Sequence, residues 1–353
     1  MCGLVGFLGG IASQDKTVDE ALLKKMTNSI IYRGPDDSGS WIDLKNRVGL
    51  GHRRLSILDL SLEGHQPMQS LSSRYVIAFN GEIYNHLDLR KEIDLCHAPA
   101  ADKTSSAEWR GHSDTESLLA GFDAWGIKGT VDRARGMFAF AVWDRKKETL
   151  TLARDRVGEK PLYYGWQGRG NDAVFLFGSE LKALRVHPAF EKNINRGAIS
   201  LLLRHNCIPA PYSIYEGVHK LLPGSLLSVS LRDRSPKIST YWSGAQIAEE
   251  GTAQSSLVNP EQAVDELEAL LMKAVGQQMI ADVPLGAFLS GGVDSSTVVA
   301  LMQAQSSNPV KTFSIGFEVA DYNEAEVAKA VAGHLATDHT ELYVTEKEAM
   351  DVI

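Results

Sequence analysis

A cysteine stands second in the chain, directly ahead of Gly3 to Leu8, a run that reads as a buried strand. Once the initiator methionine is removed, that residue carries both a thiol and a free α-amine. The ordinary pKa values of the two groups differ by roughly one unit or less, so proton transfer between them costs about 1 kcal/mol. An amine that serves as base for its own side chain is one route to an activated nucleophile. A chain built this way has to hold its first residues beside a substrate pocket and a pair of oxyanion donors. A lone early cysteine is more often structural, so the other motifs decide.

Three of those motifs fit such a pocket. Asn80-Gly81-Glu82-Ile83-Tyr84-Asn85 follows a strand candidate at Tyr75 to Phe79. Asn-Gly after a strand reads first as a turn, but the Asn80 amide and the Gly81 N–H are also two donors for a developing oxyanion. Arg54, in Gly51-His52-Arg53-Arg54-Leu55-Ser56-Ile57, offers a fork for a carboxylate. Ser113-Asp114-Thr115-Glu116 is a capping box, and its Asp114 either favours the helix dipole or pairs with a ligand ammonium. Together with Cys2 these residues describe a pocket for an amino acid with a side-chain amide.

The 353 residues are long enough for two domains. With 44% hydrophobic and 23% charged residues the chain reads as globular, and a net charge of −8 without a Lys/Arg cluster argues against nucleic acid. The N-terminus has no basic segment, and Gly9-Gly10 interrupts its first apolar run, so no secretory signal is expected. Nor does any stretch reach the roughly 18 apolar residues of a membrane span. Cys2, Cys96 and Cys207 are far apart and odd in number, which points to a reducing cytoplasm and no disulfide framework.

Residues 2–242 mix many strand signals with few helices, the pattern of a layered α+β domain. Thr17-Val18-Asp19-Glu20 reads as a capping box opening a helix through Val18, Leu22, Met26 and Ile30. Residues 96–112 read as a mobile surface loop and residues 243–258 as a linker. From 259 to 353 the texture changes. Asn259-Pro260 caps a helix whose face is Val264, Leu267, Leu271 and Val275. Strands at Val283–Leu289, Val310–Phe317 and Thr340–Val344 then alternate with helices, the sign of a parallel α/β sheet. At this length the second domain is expected to be incomplete.

Between the first of those strands and its helix lies Ser290-Gly291-Gly292-Val293-Asp294-Ser295-Ser296. Glycines at a helix N-terminus expose backbone N–H groups to an anion. The string lacks the lysine of the common P-loop. Asp294 suits Mg²⁺ held on phosphates.

Five motifs in order carry a family resemblance. Cys2-Gly3-Leu4-Val5-Gly6, Arg33-Gly34-Pro35-Asp36, His52 to Ile57, Asn80 to Asn85 and Ser113 to Glu116 resemble those of class II glutamine amidotransferases. That resemblance implies the N-terminal-nucleophile fold, two antiparallel sheets sandwiched by helices. It also implies that Cys2 attacks the glutamine amide, that Asn80 and Gly81 form the oxyanion hole, that Arg54 binds the glutamine carboxylate, and that Asp114 with Glu82 binds its amino end. The Ser290 loop resembles the PP-loop of ATP pyrophosphatases. There Leu289, Ser290, Gly291, Gly292, Asp294, Ser295, Ile315 and Gly316 would meet ATP, with Mg²⁺ at Asp294.

A glutaminase joined to a PP-loop domain is similar to the glutamine-hydrolysing asparagine synthetases. The function implied is a ligase reaction, ATP-dependent synthesis of asparagine from aspartate with ammonia from glutamine. The same architecture can amidate another carboxylate, such as a sugar acid. A non-catalytic binding module is the alternative outside enzymes. A second ATP-site motif of the type SGEGSDE is not in this sequence. Relatives of this kind are commonly dimers, so a homodimer is the expectation for partners.

Overall fold

The structure is a computed structural model that describes residues 2–10, 16–97, 108–253, 259–317 and 323–352. It divides into two compact units, Met1–Gln254 and Ser255–Ile353.

Two six-stranded sheets make the first unit, and every strand neighbour in them is antiparallel. One sheet runs, from edge to edge, through His219–Lys220, Tyr163–Gln167, Val174–Gly178, Gly3–Gly9, Val48–Arg54 and Asp37–Asp43. The other runs through Lys237–Thr240, Ser225–Val229, Thr149–Arg154, Gly136–Asp144, Tyr75–Ile83 and Met68–Gln69.

The period of two in strand side chains sorts residues into three cores. Leu4, Leu8, Val76, Ala78, Ala139, Ala141 and Trp143 meet between the sheets. Their neighbours Val5 and Phe7 point the other way, onto Leu23 and Met26 of the helix Lys16–Asn28 and Ile30 just past its end. Ile77, Phe79, Phe138 and Phe140 pack outward on Leu118, Leu119 and Phe122 of the helix Asp114–Arg133. The result is an αββα sandwich. Because the central strands are covered on both faces, they read as continuous apolar runs rather than alternating ones.

Four segments of the first unit and the linker differ from the sequence reading. The strand Tyr75–Ile83 runs straight through Asn80-Gly81, which pairs with Ala139 and Phe138 and makes no turn. The first helix begins at Lys16, so Thr17 lies inside it rather than capping it. Residues 244–253 of the expected linker are a helix, Gly244–Ala253, braced by a Gln246-to-Glu250 side-chain bond of 2.7 Å. Residues 254–258 lie outside the described residues. Of the expected 96–112 loop, Cys96 and His97 end the helix His86–His97, and 98–107 lie outside the described residues. All three cysteines are free. Among the described residues no helix is long and apolar enough to cross a membrane.

The second unit holds a parallel three-stranded sheet, Gly286–Phe288, Lys311–Gly316 and Asp338–Tyr343, linked by the helices Val293–Gln305 and Ala325–Leu335. Asn259 caps the helix Pro260–Gln278 by accepting the Glu261 N–H at 3.0 Å. The apolar face expected of that helix is not buried: Val264 is 62% and Leu267 55% exposed. A small core of Leu289, Val299, Ala328 and Ala332 lies beneath one face of the sheet.

Candidate active site

Arg33 fastens the start of the first strand. Its Nε donates to the Cys2 carbonyl at 2.9 Å, and its Nη1 pairs with Glu180 at 3.0 Å. Ser179 holds Leu4 from the neighbouring strand, Oγ accepting the Leu4 N–H at 3.1 Å. Gly34 allows this approach, since a Cβ there would lie 2.5 Å from the Arg54 backbone nitrogen. The Cys2 sulfur accepts the Leu55 N–H at 3.4 Å and lies 3.6 Å from the Leu55 carbonyl. Burial pushes the Cys2 thiol up and the Leu55 N–H pulls it down, while the Glu82 and Asp114 charges raise it further. Cys2 therefore rests as a thiol and needs a base.

Asn80 is 1% exposed, and neither its Oδ1 nor its Nδ2 has a hydrogen-bond partner among the described residues. Buried amides are normally satisfied, so such an orphaned pair marks a place for a ligand. Gly81 supplies a second donor through strand geometry. Its register partner Phe138 turns both backbone groups away, to Asp155, so the Gly81 N–H points out from the opposite edge of its own strand. On that same edge the Phe79 N–H is taken by Gln66 at 2.7 Å and the Ile83 N–H by Asp114 at 2.8 Å. Gly81 sits between them. A Cβ there would strike the strand Gly136–Asp144, 2.7 Å from the Phe138 Cα.

Cys2, Arg54, Gly81, Glu82 and Asp114 line one cleft. Asn80 is not among its lining residues; it is buried in the same strand, next to Gly81. Ser113 caps the helix at 3.3 Å to the Glu116 N–H. This aims Asp114, first in that helix, at the strand bearing Glu82. Burial pushes both carboxyls up, and for Glu82 the Asp114 charge adds to it while Lys160 opposes. A bound ammonium would relieve both. Arg54 is buried with its guanidinium engaged: Nη1 donates to Ser61 O at 3.1 Å, and Nη2 to Leu58 O at 3.4 Å and to Asp59 O. A ligand carboxylate would have to share or replace those carbonyls.

Sequence reasoning passed over the Leu55 amide, Arg33 and Lys160. The first two lie inside quoted motifs. Lys160 had no local signal. His52 is buried, and its Nε2 lies 2.8 Å from the Phe79 carbonyl, a contact that makes Nε2 the protonated nitrogen. Burial holds the ring near pKa 4, so it stays neutral.

In the second unit, the loop Leu289–Gly292 leaves the carboxyl end of one parallel strand, and Gly316 ends the next. The Ser290 and Ser295 hydroxyls are 2.9 Å apart and close the loop. Gly291 has φ +78°, and a Cβ there would lie 2.8 Å from Val327 Cγ1. No side chain caps the helix Val293–Gln305, so its first N–H groups stay open to an anion. Ile315 is 48% exposed on the uncovered sheet face rather than packed in the core. Asp294 stands in the first helical turn, and no cluster of three or more His, Cys, Asp or Glu able to hold a metal occurs among the described residues. The donor set suits Mg²⁺ only with phosphate oxygens completing its shell.

Two antiparallel sheets between helices, with Cys2 just ahead of a central strand, define the N-terminal-nucleophile class of glutamine amidotransferase domains. Residues 1–242 match the family described as the glutamine amidotransferase domain, and residues 266–353 that described as asparagine synthase. A protein of Methanocaldococcus jannaschii named as a glutamine-hydrolysing asparagine synthetase is 36% identical over 100% of this chain and 67% of its own length. Asparagine synthetase (glutamine-hydrolysing) 1 of Bacillus subtilis is 35% identical over 99% of this chain and 51% of its own. The chain thus spans about half the length of that Bacillus relative. Glutamine phosphoribosylpyrophosphate amidotransferase of B. subtilis, solved with ADP and GMP, shares the fold at TM-score 0.50, with 14% identity over 99% of this chain and 92% of its own. The chain belongs to the family of glutamine-hydrolysing asparagine synthetases.

Proposed function

We propose that the first unit hydrolyses glutamine and that the second uses ATP to activate a carboxylate, aspartate, for amidation by the ammonia released. The observation that carries this reading is the orphaned Asn80 amide beside the outward Gly81 N–H, in a strand that lines the cleft with Cys2.

The steps follow from the residues. With Met1 removed, the Cys2 α-amine takes the thiol proton, and the sulfur attacks the glutamine δ-carbonyl. Negative charge gathers on the carbonyl oxygen, where Asn80 Nδ2–H and Gly81 N–H donate. The protonated amine returns its proton to the leaving nitrogen, and ammonia departs. Water then hydrolyses the Cys2 thioester to glutamate. Glu82 and Asp114 hold the substrate ammonium, and Arg54 its carboxylate. In the second unit the acceptor carboxylate attacks the α-phosphorus of ATP and releases pyrophosphate, and ammonia then converts the acyl-adenylate to the amide with release of AMP. The Ser290–Gly292 loop and the open N–H groups of the helix behind it would hold the phosphates, and Asp294 would hold Mg²⁺, which would offset their charge. Ile315, exposed at a strand end, and Gly316 border the adenine.

A second reading keeps both half-reactions and changes the acceptor to another carboxylate. It is favoured by a Penicillium rubens relative, 30% identical over 96% of this chain, that bears the name amidase chyE instead. The test is ammonia release from glutamine by the full chain, with Cys2→Ala as control and intact mass to establish loss of Met1. No release, or release that survives Cys2→Ala, sinks the glutaminase reading. Amide formation with aspartate, set against other carboxylates, separates the two acceptors.

A further inference from the structure

The geometry points to His52 as a positioning residue of the glutaminase site. From the strand that holds Cys2 it bonds the peptide that carries Asn80, and so sets the nucleophile against the oxyanion donors. The inference rests on the glutamine-hydrolysis reading above.

Cys2 leads into the strand Gly3–Gly9 of one sheet, while Asn80 and Gly81 lie in Tyr75–Ile83 of the other. Apolar packing between the sheets has no preferred direction; a hydrogen bond does. In the strand Val48–Arg54 the period of two places Val48, Leu50 and His52 on one face, and Val48 and Leu50 belong to the core between the sheets. His52 continues that row, fully buried, and its Nε2 reaches the Phe79 carbonyl of the other sheet at 2.8 Å. The same strand holds the nucleophile. Arg53 pairs with Gly3 and His52 with Leu4, and the Leu55 N–H just beyond donates to the Cys2 sulfur at 3.4 Å.

The carbonyl that His52 bonds belongs to the peptide group Phe79 shares with Asn80. That group is planar, so a bond to its oxygen also fixes the Asn80 nitrogen, and Asn80 itself pairs with Ala139 on the opposite edge. On the outer edge strand pairing does not reach Phe79, because Met68–Gln69 stops opposite Ile77. Two side chains take its place. Gln66 Oε1 accepts the Phe79 N–H at 2.7 Å, and His52 donates to the Phe79 carbonyl. Gln66 is tied in turn to Thr115, Nε2 donating to Oγ1 at 3.2 Å, and both Gln66 and Phe79 line the cleft. The residue before Asn80 is thus held at both backbone groups, and Gly81 follows Asn80 directly. His52 Nδ1 meanwhile has no partner among the described residues. A leucine, as at position 50, would fill this layer without leaving a buried nitrogen unpaired. The histidine is there for its one bond. Burial keeps the ring neutral, so what it brings to the site is placement and not charge.

Glutamine hydrolysis by the full chain tests this. His52→Leu keeps an apolar filling and removes the donor. Its kcat should fall about 10–100-fold, the scale of loss when a catalytic group moves by about 1 Å, with KM changed by less than about threefold. His52→Gln, whose side-chain N–H can donate to the same carbonyl, should recover most of kcat. The decisive measurement is a double-variant cycle with Asn80→Ala. A residue that acts through the oxyanion donors matters less once a donor is gone, so the kcat loss from His52→Leu should shrink at least about fivefold in the Asn80→Ala background. Losses that simply multiply, as impaired folding would give, overturn the inference, and so does an unchanged kcat in His52→Leu. His52→Met repeats the cycle if His52→Leu does not fold, and loss of folding in both assigns His52 to structure alone and overturns it too. Absence of glutamine hydrolysis in the parent overturns the underlying reading instead.

Discussion

Asp114 Oδ2 accepts the backbone N–H of Ile83 at 2.8 Å, so the first residue of a helix is bonded to the strand that carries Glu82. One carboxylate thus joins two elements and faces the cleft. The two roles separate by substitution. Asp114→Ala strands a buried N–H, and the unfolding free energy should fall by about 1–3 kcal/mol. Asp114→Asn keeps an acceptor and loses the charge. It should lose little stability while raising KM for glutamine about tenfold or more. Denaturant titration and steady-state ammonia release check the pair. Equal stability losses in both variants would remove the ligand role.

Asn80 predicts the opposite pattern. Its side-chain amide makes no bond among the described residues, so truncation breaks none of theirs. Asn80→Ala should leave the thermal midpoint unchanged or slightly raised, because an unsatisfied buried group has gone. The glutaminase kcat should fall about 10²–10³-fold, the usual loss for one oxyanion donor. A midpoint that drops by several degrees would show that Asn80 has a structural partner after all.

Much of this architecture was legible because central strands buried on both faces give unbroken apolar runs, as Gly3–Gly9 and Tyr75–Phe79 do. Where local chemistry and tertiary pairing disagree, pairing prevails. Asn80-Gly81 has the composition of a turn, yet its strand finds Phe138 and Ala139 and continues to Ile83. The cleft residues were legible because each sits in a short, chemically distinctive string. The Leu55 amide on Cys2 and the Arg33 clamp on its carbonyl join residues 53 and 31 positions apart. No window of sequence contains such a pair. The engaged state of Arg54 was equally hidden, because its partners are backbone carbonyls.

The buried Asp114 and half-buried Glu82 carboxyls make stability depend on pH in a definite direction. Burial raises both Glu82 and Asp114 above their ordinary values of 4.5 and 3.8. The folded state therefore binds protons that the unfolded state has already released. Their favourable contribution is complete below the ordinary values and is lost as pH rises towards the raised ones. The unliganded parent should lose stability as pH rises above about 4.5, and the double variant Glu82→Gln, Asp114→Asn should show a flatter profile. Urea unfolding at a series of pH values measures the difference. A parent profile that rises through the same window would contradict the burial argument.

Gly291 offers a test confined to the second unit. At φ +78° a side chain is strained by about 1–2 kcal/mol. A Cβ there would also meet Val327 Cγ1 at 2.8 Å and the Ala328 nitrogen at 3.0 Å. Gly291→Ala should therefore push the loop away from the helix Ala325–Leu335 and displace the open N–H groups at the start of the helix Val293–Gln305. Affinity for ATP, measured by calorimetry with Mg²⁺, is expected to fall at least about tenfold. Ammonia release from glutamine should stay at the parent level, because Cys2, Asn80 and Gly81 belong to the other compact unit. Nucleotide binding that is indifferent to Gly291→Ala would separate this loop from the phosphates and remove the structural basis for an ATP-dependent half-reaction.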